Sequence, residues 1–483
     1  MALIETDNIN KRVWRKESRM LDKAVIERLE KIVGEKNVLT KKADLISYSY
    51  DATADTQTEM PDVVVLPATT EEVVQIVKLA NETSTPIYPR GSGTNLSGGT
   101  IPLKKGIVLG VQRMDKILEV DADNLTATVQ AGVIVADLNS AVAAHGLIYP
   151  PDPGTVATAT MAGTVAECAG GLRGLKYGVT KHYVMGMQVV LPNGDLVKFG
   201  GKTVKNVTAY DFAALFVGSE GTLGMVTEIT AKLIPAPKFR KTMLALYKNL
   251  ADAGNTVQGI IKAHVIPATL EIMDAKTMET VENYAKVGLP TGYAALLLIE
   301  VDGMAKDAVD AEAAAVVEVV KKNSGELRVA ETDTERDKLW AARRAALPAL
   351  AQLSPTTVLE DATVPRSRLT DMLMEIQKIG EKYQLNIGTF GHAGDGNLHP
   401  TILADAKNKE EMERVHRAVD EIFAAALSMG GTLSGEHGIG IAKMAYLKDE
   451  LGQSGLDMMR TIKNAFDPKG IMNPGKMVPA KEV

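Results

Sequence analysis

Three of the seven histidines in the sequence fall in two glycine-framed motifs. The first motif is GHAGDGNLH at residues 391–399, and the second is GEHG at residues 435–438. Two imidazoles and a carboxylate form a ligand set that suits zinc, iron, manganese or cobalt. His392 and His399 are not an i, i+4 pair on one helix, so a strand and a loop would have to bring them together. Histidine pairs are also often only hydrogen-bonded, so these residues alone leave a metal centre and a structural cluster both open.

A glycine-rich loop earlier in the chain, PRGSGTNLSGG at residues 89–99, lies between two strand-like segments. Its small and hydroxyl residues leave backbone amides bare, and successive amides of this kind can enclose an anion such as a pyrophosphate. The loop is not a dinucleotide fingerprint of the βαβ type, because a strand-like segment and not an amphipathic helix follows it. A phosphate cradle and an ordinary glycine-rich surface loop both explain the pattern.

Further glycine-dense segments follow this loop: PPDPGT at residues 150–155, TMAGT at 160–164, AGGLRGLKYGVT at 169–180 and GSEGTLG at 218–224. Each ordered glycine costs extra backbone entropy, so such density is wasteful in a simple hydrophobic core. A flat, extended ligand that needs backbone close to it on several sides would justify the pattern.

The order of these motifs, which continues to NPGK at residues 473–476, resembles the vanillyl-alcohol-oxidase type of FAD-linked oxidoreductase. Within that type, the sequence is similar to the branch that contains the glycolate oxidase catalytic subunit and the FAD-linked D-lactate dehydrogenases. The resemblance covers about residues 47–477, and it implies that the chain binds FAD.

By this resemblance, the first glycine loop cradles the FAD pyrophosphate and Asn473 lies near the isoalloxazine. Relatives that attach FAD covalently often use a histidine in that loop, whereas this loop offers Ser92, Thr94 and Asn95, so we expect non-covalent FAD. One departure is Cys168, where many relatives carry asparagine; it concerns one cofactor contact and not the fold. The implied FAD-binding residues are Pro89, Arg90, Gly91, Ser92, Gly93, Thr94, Asn95, Gly98, Gly99, Pro153, Thr155, Gly163, Gly170, Gly171, Tyr177, Gly178, Glu220, Gly221, Val226 and Asn473.

The resemblance also gives roles to the histidine motifs. The positions matching His392, His399 and Glu436 bind a divalent metal (zinc, iron or manganese), and the position matching His437 is the catalytic base. These roles are chemically coherent, because a metal on the oxygens of a 2-hydroxy acid lowers the pKa of the hydroxyl group. A neighbouring histidine, with an ordinary pKa of about 6.5, can accept the hydroxyl proton while FAD N5 takes the hydride.

The substrate carboxylate needs a cation, and arginine suits it through its bidentate fork. The segment LWAARR at residues 339–344 is similar to the family's Trp-x-x-Arg segment, in which the arginine matching Arg343 meets the substrate. A solvated helix face is the alternative for Arg344. Relatives that act on 2-hydroxyglutarate carry a lysine shortly afterwards, and residues 358–365 contain none. This favours a small monocarboxylate, D-lactate or glycolate, with the D-hand implied by the resemblance alone.

The reduced flavin must pass its electrons on. The single cysteine excludes a Cys-ligated iron–sulfur cluster within the chain, so we expect a separate acceptor: an electron-transfer flavoprotein, an iron–sulfur subunit or a quinone. Residues 1–20 are either a docking segment for such a partner or a disordered tail. Two alternatives stay open: an oxidase that uses O₂ directly, and a non-catalytic FAD subunit that relays electrons in a complex. The intact histidine set argues against the relay.

The elements that must position these residues alternate between strand and helix. Residues 62–67 have the pattern of a short buried strand, and a capping-box signal at residues 69–72 opens an amphipathic helix. From about residue 238 the glycines thin out, and the alternation favours an antiparallel sheet backed by helices, on a ferredoxin-like plan. The strands expected there are at residues 243–247, 269–273, 294–301 and 327–330.

We therefore predict an α+β fold. It combines a two-part FAD-binding domain of the vanillyl-alcohol-oxidase type, a ferredoxin-like antiparallel-sheet substrate or cap domain, and a C-terminal helical segment. The expected ranges are 1–56 for a helical lead-in, 57–237 for the FAD-binding domain, 238–430 for the cap domain and 431–483 for a segment that returns to the FAD.

The bulk composition excludes several other classes. The net charge is −6 over 483 residues and the basic residues are scattered, so a nucleic-acid surface is not expected. The longest apolar run is far too short to span a bilayer, and the N-terminus has no signal-type apolar core. One cysteine provides no disulfide framework. We expect a cytoplasmic protein.

Overall fold

The computed structural model describes residues 21–54, 56 and 58–479. It has the α+β organisation expected from the sequence, with a four-stranded and a five-stranded sheet in the N-terminal part and an eight-stranded sheet in the C-terminal part. Residues 1–20, for which a docking segment and a disordered tail were both left open, lie outside the described residues. Within residues 21–54, 56 and 58–479, no helix is both long and apolar enough to cross a membrane.

The first sheet delivers the first glycine loop. Its strands, in spatial order, are Val38–Leu39, Val63–Val65, Ile107–Gly110 and Ile87–Arg90, and all pairs except the first are parallel. The three valines of Val63–Val65 are fully buried, as in a strand covered on both faces. The expected helix follows as Thr70–Thr83, and Glu72 N donates a hydrogen bond of 3.2 Å to the Thr69 side chain at its N-cap.

The second sheet is antiparallel, and the glycine-dense segments connect the elements around it. Its strands, in spatial order, are Ile117–Asp121, Thr126–Gln130, Met225–Lys232, Val184–Val190 and Leu196–Gly200, and a separate two-stranded ladder joins Leu147–Ile148 to Ile234–Pro235. The helices of the N-terminal part are Lys23–Val33, Lys42–Ile46, Thr70–Thr83, Val135–Ala143, Met161–Glu167, Gly174–Tyr177 and Phe212–Phe216, with 3₁₀ turns at Glu35–Asn37 and Thr180–His182.

The third sheet carries the histidine motif. Its strands, in spatial order, are Glu326–Val329, Phe239–Tyr247, Ala295–Gly303, Thr269–Asp274, Asn386–His392, Asn397–Ala404 and Thr356–Leu359, while Ala362–Thr363 also pairs with Asn397–Ala404. The first four strands have the antiparallel 4-1-3-2 order of a ferredoxin-like sheet, which confirms that expectation. The helices are Leu250–Lys262, Ala275–Ala285, Lys306–Lys322, Asp333–Arg344, Ala346–Leu350, Leu369–Tyr383, Lys409–Ser428 and Leu447–Phe466, with 3₁₀ turns at Arg366–Arg368 and Met444–Tyr446.

Helices and loops cover both faces of this sheet, which explains its long apolar strands. In Ala295–Gly303, Leu297 and Ile299 pack into one buried cluster, while Leu296 and Leu298 pack into another on the opposite face. A strand buried on both faces needs no polar alternation. A polar side chain inside such a strand therefore requires a specific partner.

The chain end returns to the first sheet beside the glycine loop. Ile87 N donates to the Ile471 carbonyl at 2.7 Å, and Asn473 N donates to the Ile87 carbonyl at 2.7 Å. These two hydrogen bonds place residues 471–473 alongside Ile87–Arg90. The structure thus anchors the NPGK motif to the strand that leads into the first glycine loop.

Candidate active site

One cavity is lined both by the first glycine loop and by the histidine motifs. The fold therefore brings together segments from opposite ends of the chain. The expected site residues that line this cavity are Pro89, Arg90, Gly91, Ser92, Gly93, Thr94, Asn95, Gly99, Pro153, Thr155, Gly163, Glu220, Gly221, Val226, Arg343, His392, His399, Glu436 and His437.

At two positions of the first glycine loop, a side chain larger than hydrogen does not fit. Gly93 has a φ of +70°, and a Cβ there would collide with the guanidinium of Arg90. A Cβ on Gly91 would collide with the Thr160 hydroxyl. Thr160 caps the helix Met161–Glu167 by accepting a hydrogen bond from Gly163 N at 3.2 Å. Bare backbone amides at the end of a strand, facing a cavity, fit the phosphates of a dinucleotide cofactor.

Six expected FAD-binding residues do not line the cavity: Gly98, Gly170, Gly171, Tyr177, Gly178 and Asn473. Asn473 instead donates hydrogen bonds to the carbonyls of Gly99 (2.9 Å) and Glu220 (2.6 Å), so it ties together two segments that do line the cavity. Tyr177 donates to both carboxylate oxygens of Asp302, at 2.8 and 2.9 Å, in the C-terminal part.

Gly170 supports the histidine site although it lies outside the cavity wall. A Cβ at this position would be 2.8 Å from Glu436 Oε2 and 3.3 Å from Glu436 Cβ. Gly170 therefore leaves room for the expected metal ligand. A Cβ on Gly171 would collide with the Asp152 carbonyl, so this position also requires glycine.

Cys168 occupies a helix C-cap. It has a φ of 52° and follows the helix Met161–Glu167, where its amide donates to the Thr164 and Val165 carbonyls. The left-handed conformation favours glycine and asparagine. The asparagine expected here from the resemblance would suit the same cap, and Cys168 does not line the cavity. Burial raises the pKa of its thiol, so the group is neutral.

The histidine hairpin puts both imidazoles on one face of the sheet. The register of Asn386–His392 and Asn397–Ala404 places His399 opposite Phe390, so His399 and His392 are diagonal neighbours. Glu436, from the loop after helix Lys409–Ser428, reaches both rings. Its Oε1 lies 3.1 Å from His392 Nε2 and 3.2 Å from His399 Nε2.

These three residues fit a divalent metal. The two Nε2 atoms and a Glu436 oxygen lie within 4.8 Å of one another, and both imidazoles are buried. Burial opposes charge on Glu436, but His392 and His399 outweigh it and hold the pKa of this carboxyl well below its usual range. Burial opposes charge on His392, but Glu271 and Glu436 raise the pKa of this imidazole well above its usual range, so a metal would take the place of the proton on Nε2. Two imidazole nitrogens and an ionised carboxylate are the protein ligands expected at a catalytic zinc or iron centre with an open position.

Glu271 is a functional residue that sequence reasoning missed. The pairing of Ile272 with Gly391 puts Glu271 beside His392 on the same face. His392 Nδ1 lies 2.8 and 3.0 Å from the two Glu271 oxygens. A carboxylate on Nδ1 holds the proton there and leaves Nε2 free for a metal, as behind many metal-ligating histidines. The only sequence signal is an acidic residue in the middle of the apolar strand Thr269–Asp274.

Glu271 also binds the expected substrate arginine. Arg343 donates from Nε at 2.8 Å and from Nη2 at 2.6 Å to Glu271 Oε2, and its guanidinium lies over the Phe390 ring. Burial opposes charge on Glu271, but His392 and Arg343 hold the pKa of this carboxyl below its usual range. Arg343 still lines the cavity, and so does Arg344, whose side chain is 45% exposed and only 3.5 Å from Asp152. The cavity therefore presents two guanidinium groups and not one.

His437 lies next to the expected metal ligands and lines the cavity. Its ring stacks on His399, with centroids 5.0 Å apart and an interplanar angle of 14°. Burial lowers the pKa of His437 to about 4, so the imidazole is neutral at physiological pH and has a free lone pair. A neutral buried imidazole can accept a proton.

Glu220 links the loop that carries Glu436 and His437 (residues 434–440, the histidine loop) to the glycine-dense segment at residues 218–224. Its Oε1 accepts a hydrogen bond from Ile439 N at 2.6 Å, and its Oε2 accepts one from Gly440 N at 2.7 Å. A residue expected to contact FAD therefore also fixes the backbone that follows His437. The same cavity wall includes Glu167, a residue that was not expected, and burial together with Glu220 raises its pKa well above the usual range.

Two family models match the chain. A model described as an FAD binding domain matches residues 61–200, and a model of the C-terminal domain of FAD linked oxidases matches residues 236–477. Together the two matched ranges contain the first glycine loop and all the histidine motifs.

The curated relatives match nearly the full chain. The glycolate oxidase subunit GlcD of Bacillus subtilis (strain 168) is 51% identical over 459 residues, which are 95% of this chain and 97% of that protein. A D-lactate dehydrogenase from Anaerostipes hadrus is 36% identical over 94% of this chain and 98% of its own length. Among solved structures, p-cresol methylhydroxylase with bound substrate has a TM-score of 0.77 at 19% identity, covers 94% of this chain and 96% of its own, and shows the shared fold.

Proposed function

The chain belongs to the family of FAD-linked oxidases that includes glycolate oxidase subunits and D-lactate dehydrogenases, and we propose that it is a metal-assisted dehydrogenase of a small D-2-hydroxy acid. It is an FAD-linked hydroxy-acid oxidoreductase. The proposal adds the metal, the substrate (D-lactate or glycolate), hydride transfer to flavin N5, and a separate electron acceptor such as an electron-transfer flavoprotein.

One observation carries the proposal: His392, His399, Glu436 and His437 line the same cavity as the first glycine loop. A subunit that only relays electrons has no use for a half-buried neutral imidazole beside three groups able to hold a metal. The arrangement instead has the three parts that alcohol oxidation requires, namely a cation site, a proton acceptor and a site for the electron acceptor.

The residues of this chain divide the chemistry among them. His437 accepts the hydroxyl proton, because its neutral ring faces the cavity beside the cation ligands. Arg343 and Arg344 orient the substrate carboxylate. When bound, the metal supplies positive charge that lowers the pKa of the substrate hydroxyl. When bound, FAD supplies the acceptor for the hydride that leaves C2 of the substrate.

The lining near the arginines supports a small monocarboxylate. Leu347, Leu359 and Phe390 lie on the cavity wall beside Arg343 and the histidines. Apolar side chains at this end disfavour a second carboxylate on the substrate. Leu359 belongs to residues 358–365, which lack the lysine expected in relatives that act on 2-hydroxyglutarate. The apolar lining therefore supports D-lactate or glycolate as the substrate.

Replacing His437 with asparagine tests the proposal. We expect the rate of anaerobic flavin reduction by D-lactate or glycolate to fall about 10²–10⁴-fold, the usual contribution of a general base, while bound FAD stays unchanged. His416→Asn is the matched control, because His416 lies on the exposed face of helix Lys409–Ser428. Equal rates in the two variants would exclude His437 as the base. Peroxide release in air at the rate of flavin reduction would identify the chain as an oxidase and not a dehydrogenase.

A further inference from the structure

Asp361 is a fully buried carboxylate that fixes the backbone of the histidine loop. It lies between Thr356–Leu359 and Ala362–Thr363 with no exposed surface. Its Oδ2 accepts hydrogen bonds from the amides of Gly435 (2.8 Å), Glu436 (2.9 Å) and His437 (3.0 Å). It also accepts one from the hydroxyl of Ser434 at 2.8 Å. Three successive amides on one oxygen determine the direction in which the Glu436 and His437 side chains leave the loop.

The second oxygen of Asp361 faces two histidine nitrogens. Asp361 Oδ1, His399 Nδ1 and His437 Nδ1 are buried, and among the described residues none of the three has a hydrogen-bond partner. Asp361, His399 and His437 each bring one oxygen or ring nitrogen within 4.8 Å of the others, and Asp361 Oδ1 is 4.0 Å from His399 Nδ1. This separation is too long for a direct hydrogen bond, but one shared water would satisfy all three groups.

We propose that Asp361 is a positioning residue that keeps Nδ1 of His399 and His437 protonated and so leaves both Nε2 atoms bare. The inference rests on the proposed function, because it assigns the bare Nε2 of His399 to the metal and that of His437 to the substrate proton. A carboxylate accepts hydrogen bonds and cannot donate them, so a bridging water places one hydrogen on Asp361 and its two lone pairs can accept from the Nδ1–H groups of both rings. Glu271 does the same directly for His392, and thus two buried carboxylates set the tautomers of three histidines.

The same three atoms also form a geometric ligand set for a second metal, and their surroundings argue against that alternative. Lys443 Nζ lies 3.7 Å from Asp361 Oδ2, and its side chain is 2% exposed. A divalent ion on Asp361 would place a second positive charge beside this buried ammonium group, where the low dielectric makes repulsion strong. Lys443 already supplies a positive charge that balances the carboxylate. A bridging water, and not a second metal ion, is therefore expected between Asp361 and the two rings.

Asp361→Asn tests the inference. The carbonyl oxygen of asparagine can still accept from the loop amides, whereas its NH₂ group turns a donor toward both rings and favours protonation at Nε2. We expect the affinity for Zn²⁺ to fall about 10–100-fold, as for other groups behind metal ligands. We also expect flavin reduction by D-lactate or glycolate to slow at least about 10²-fold, the lower range for loss of a base. FAD binding should persist in the holoenzyme.

The matched control is Asp274→Asn. Asp274 is a half-buried carboxylate of the same sheet, and it accepts hydrogen bonds from Thr277 N at 2.8 Å and Thr389 N at 2.7 Å, outside the cavity lining. If Asp361 had no influence on the site beyond that of any carboxylate in this sheet, the two variants would show equal losses. Zn²⁺ affinity and flavin-reduction rates that match in D361N and D274N would overturn the inference.

Imidazole ¹⁵N chemical shifts of the Zn²⁺-loaded wild-type holoenzyme decide the matter even where D361N fails to fold. Only seven histidines contribute signals. We expect His399 and His437 to be protonated at Nδ1, and a proton on Nε2 of either ring contradicts the inference. If no 2-hydroxy acid reduces the wild-type flavin, the proposed function fails, while the tautomers and the Zn²⁺ affinity of D361N still test Asp361 separately.

Discussion

Replacing Glu271 with glutamine removes a single charge from the contact between the expected metal ligand and the substrate arginine. The wild-type carboxylate accepts from Arg343 Nε and Nη2 at 2.8 and 2.6 Å, and it lies 2.8 Å from His392 Nδ1. Glutamine has nearly the same shape, but it has one carbonyl oxygen for these donors, and its NH₂ group faces a donor. Arg343 and His392 therefore compete for one acceptor.

The size of the effect follows from burial. The side chains of Arg343 and Glu271 are 7% and 1% exposed, so solvent cannot replace the lost partner. Removing one member of a buried ion pair destabilises a protein by about 3–5 kcal/mol. Removing the carboxylate behind a metal-ligating histidine weakens metal binding by about 10–100-fold. E271Q should show both losses.

Urea unfolding of the holoenzyme measures the first loss, and competition of Zn²⁺ with a chromophoric chelator measures the second. Glu300→Gln is the matched control, because Glu300 is also buried in this sheet and accepts hydrogen bonds from two neutral groups, Thr242 Oγ1 at 2.6 Å and Trp340 Nε1 at 3.1 Å. We expect E300Q to lose about 1 kcal/mol, as for an ordinary hydrogen bond, and to retain wild-type Zn²⁺ affinity. An E271Q variant that behaves like E300Q in both assays would refute the reasoning.

Two other perturbations have calculable outcomes. Gly170→Ala introduces a Cβ 2.8 Å from Glu436 Oε2, so Zn²⁺ affinity should fall in a chelator competition while FAD binding persists. Gly154→Ala in the cavity wall, where a Cβ meets nothing within 4 Å, should leave Zn²⁺ affinity unchanged, and equal affinities in both variants would contradict the assignment. Burial raises the pKa of Asp274 from 3.8 to about 6, so its stabilising contribution is present below pH 3.8 and lost as the pH rises through 6. The free energy of unfolding of the wild type should therefore fall by about 2 kcal/mol relative to Asp274→Asn between pH 4 and pH 7; a constant difference in urea titrations would exclude this account.

Local patterns were sufficient to predict most elements of the fold. The apolar run at residues 62–67 and the Thr69 cap gave a strand and a helix where the structure has Val63–Val65 and Thr70–Thr83. The helical stretch that carries Arg343 is divided into two helices, Asp333–Arg344 and Ala346–Leu350. Pro348 lacks the amide that a continuous helix would use at that position. The family resemblance, which rested on the order of the glycine motifs, is confirmed by the matching family models.

The site was only partly predictable, because strand pairing determines which distant residues meet. The hairpin motif itself indicated His392 and His399. Glu271 comes from another strand and Asp361 from the connection between two strands, and they meet the histidines only because those strands pair as they do. Acidic residues in the apolar runs at residues 269–274 and 358–365 were the available signal. Such a buried charge demands a partner, but the sequence does not say which one.

Two residues that the resemblance assigned to FAD binding act on their neighbours in the structure. Asn473 was expected near the isoalloxazine, and the structure shows it joining the backbone of Gly99 to that of Glu220. Gly170 was expected to contact FAD, and in the structure it leaves space for Glu436. A motif marks a position that the site needs, and only the three-dimensional contacts show whether the residue acts on a ligand or on its neighbours.

The central claim is that the histidine centre and the flavin act on one substrate in one cavity. The most direct test is anaerobic flavin absorbance after mixing the holoenzyme with D-lactate, L-lactate, glycolate and D-2-hydroxyglutarate, before and after removal of metal by a chelator. We predict rapid bleaching by D-lactate or glycolate that disappears with chelator and returns with added Zn²⁺, Fe²⁺ or Mn²⁺. Bleaching at an unchanged rate in the chelated enzyme, or no bleaching by any of the four acids, would contradict the account.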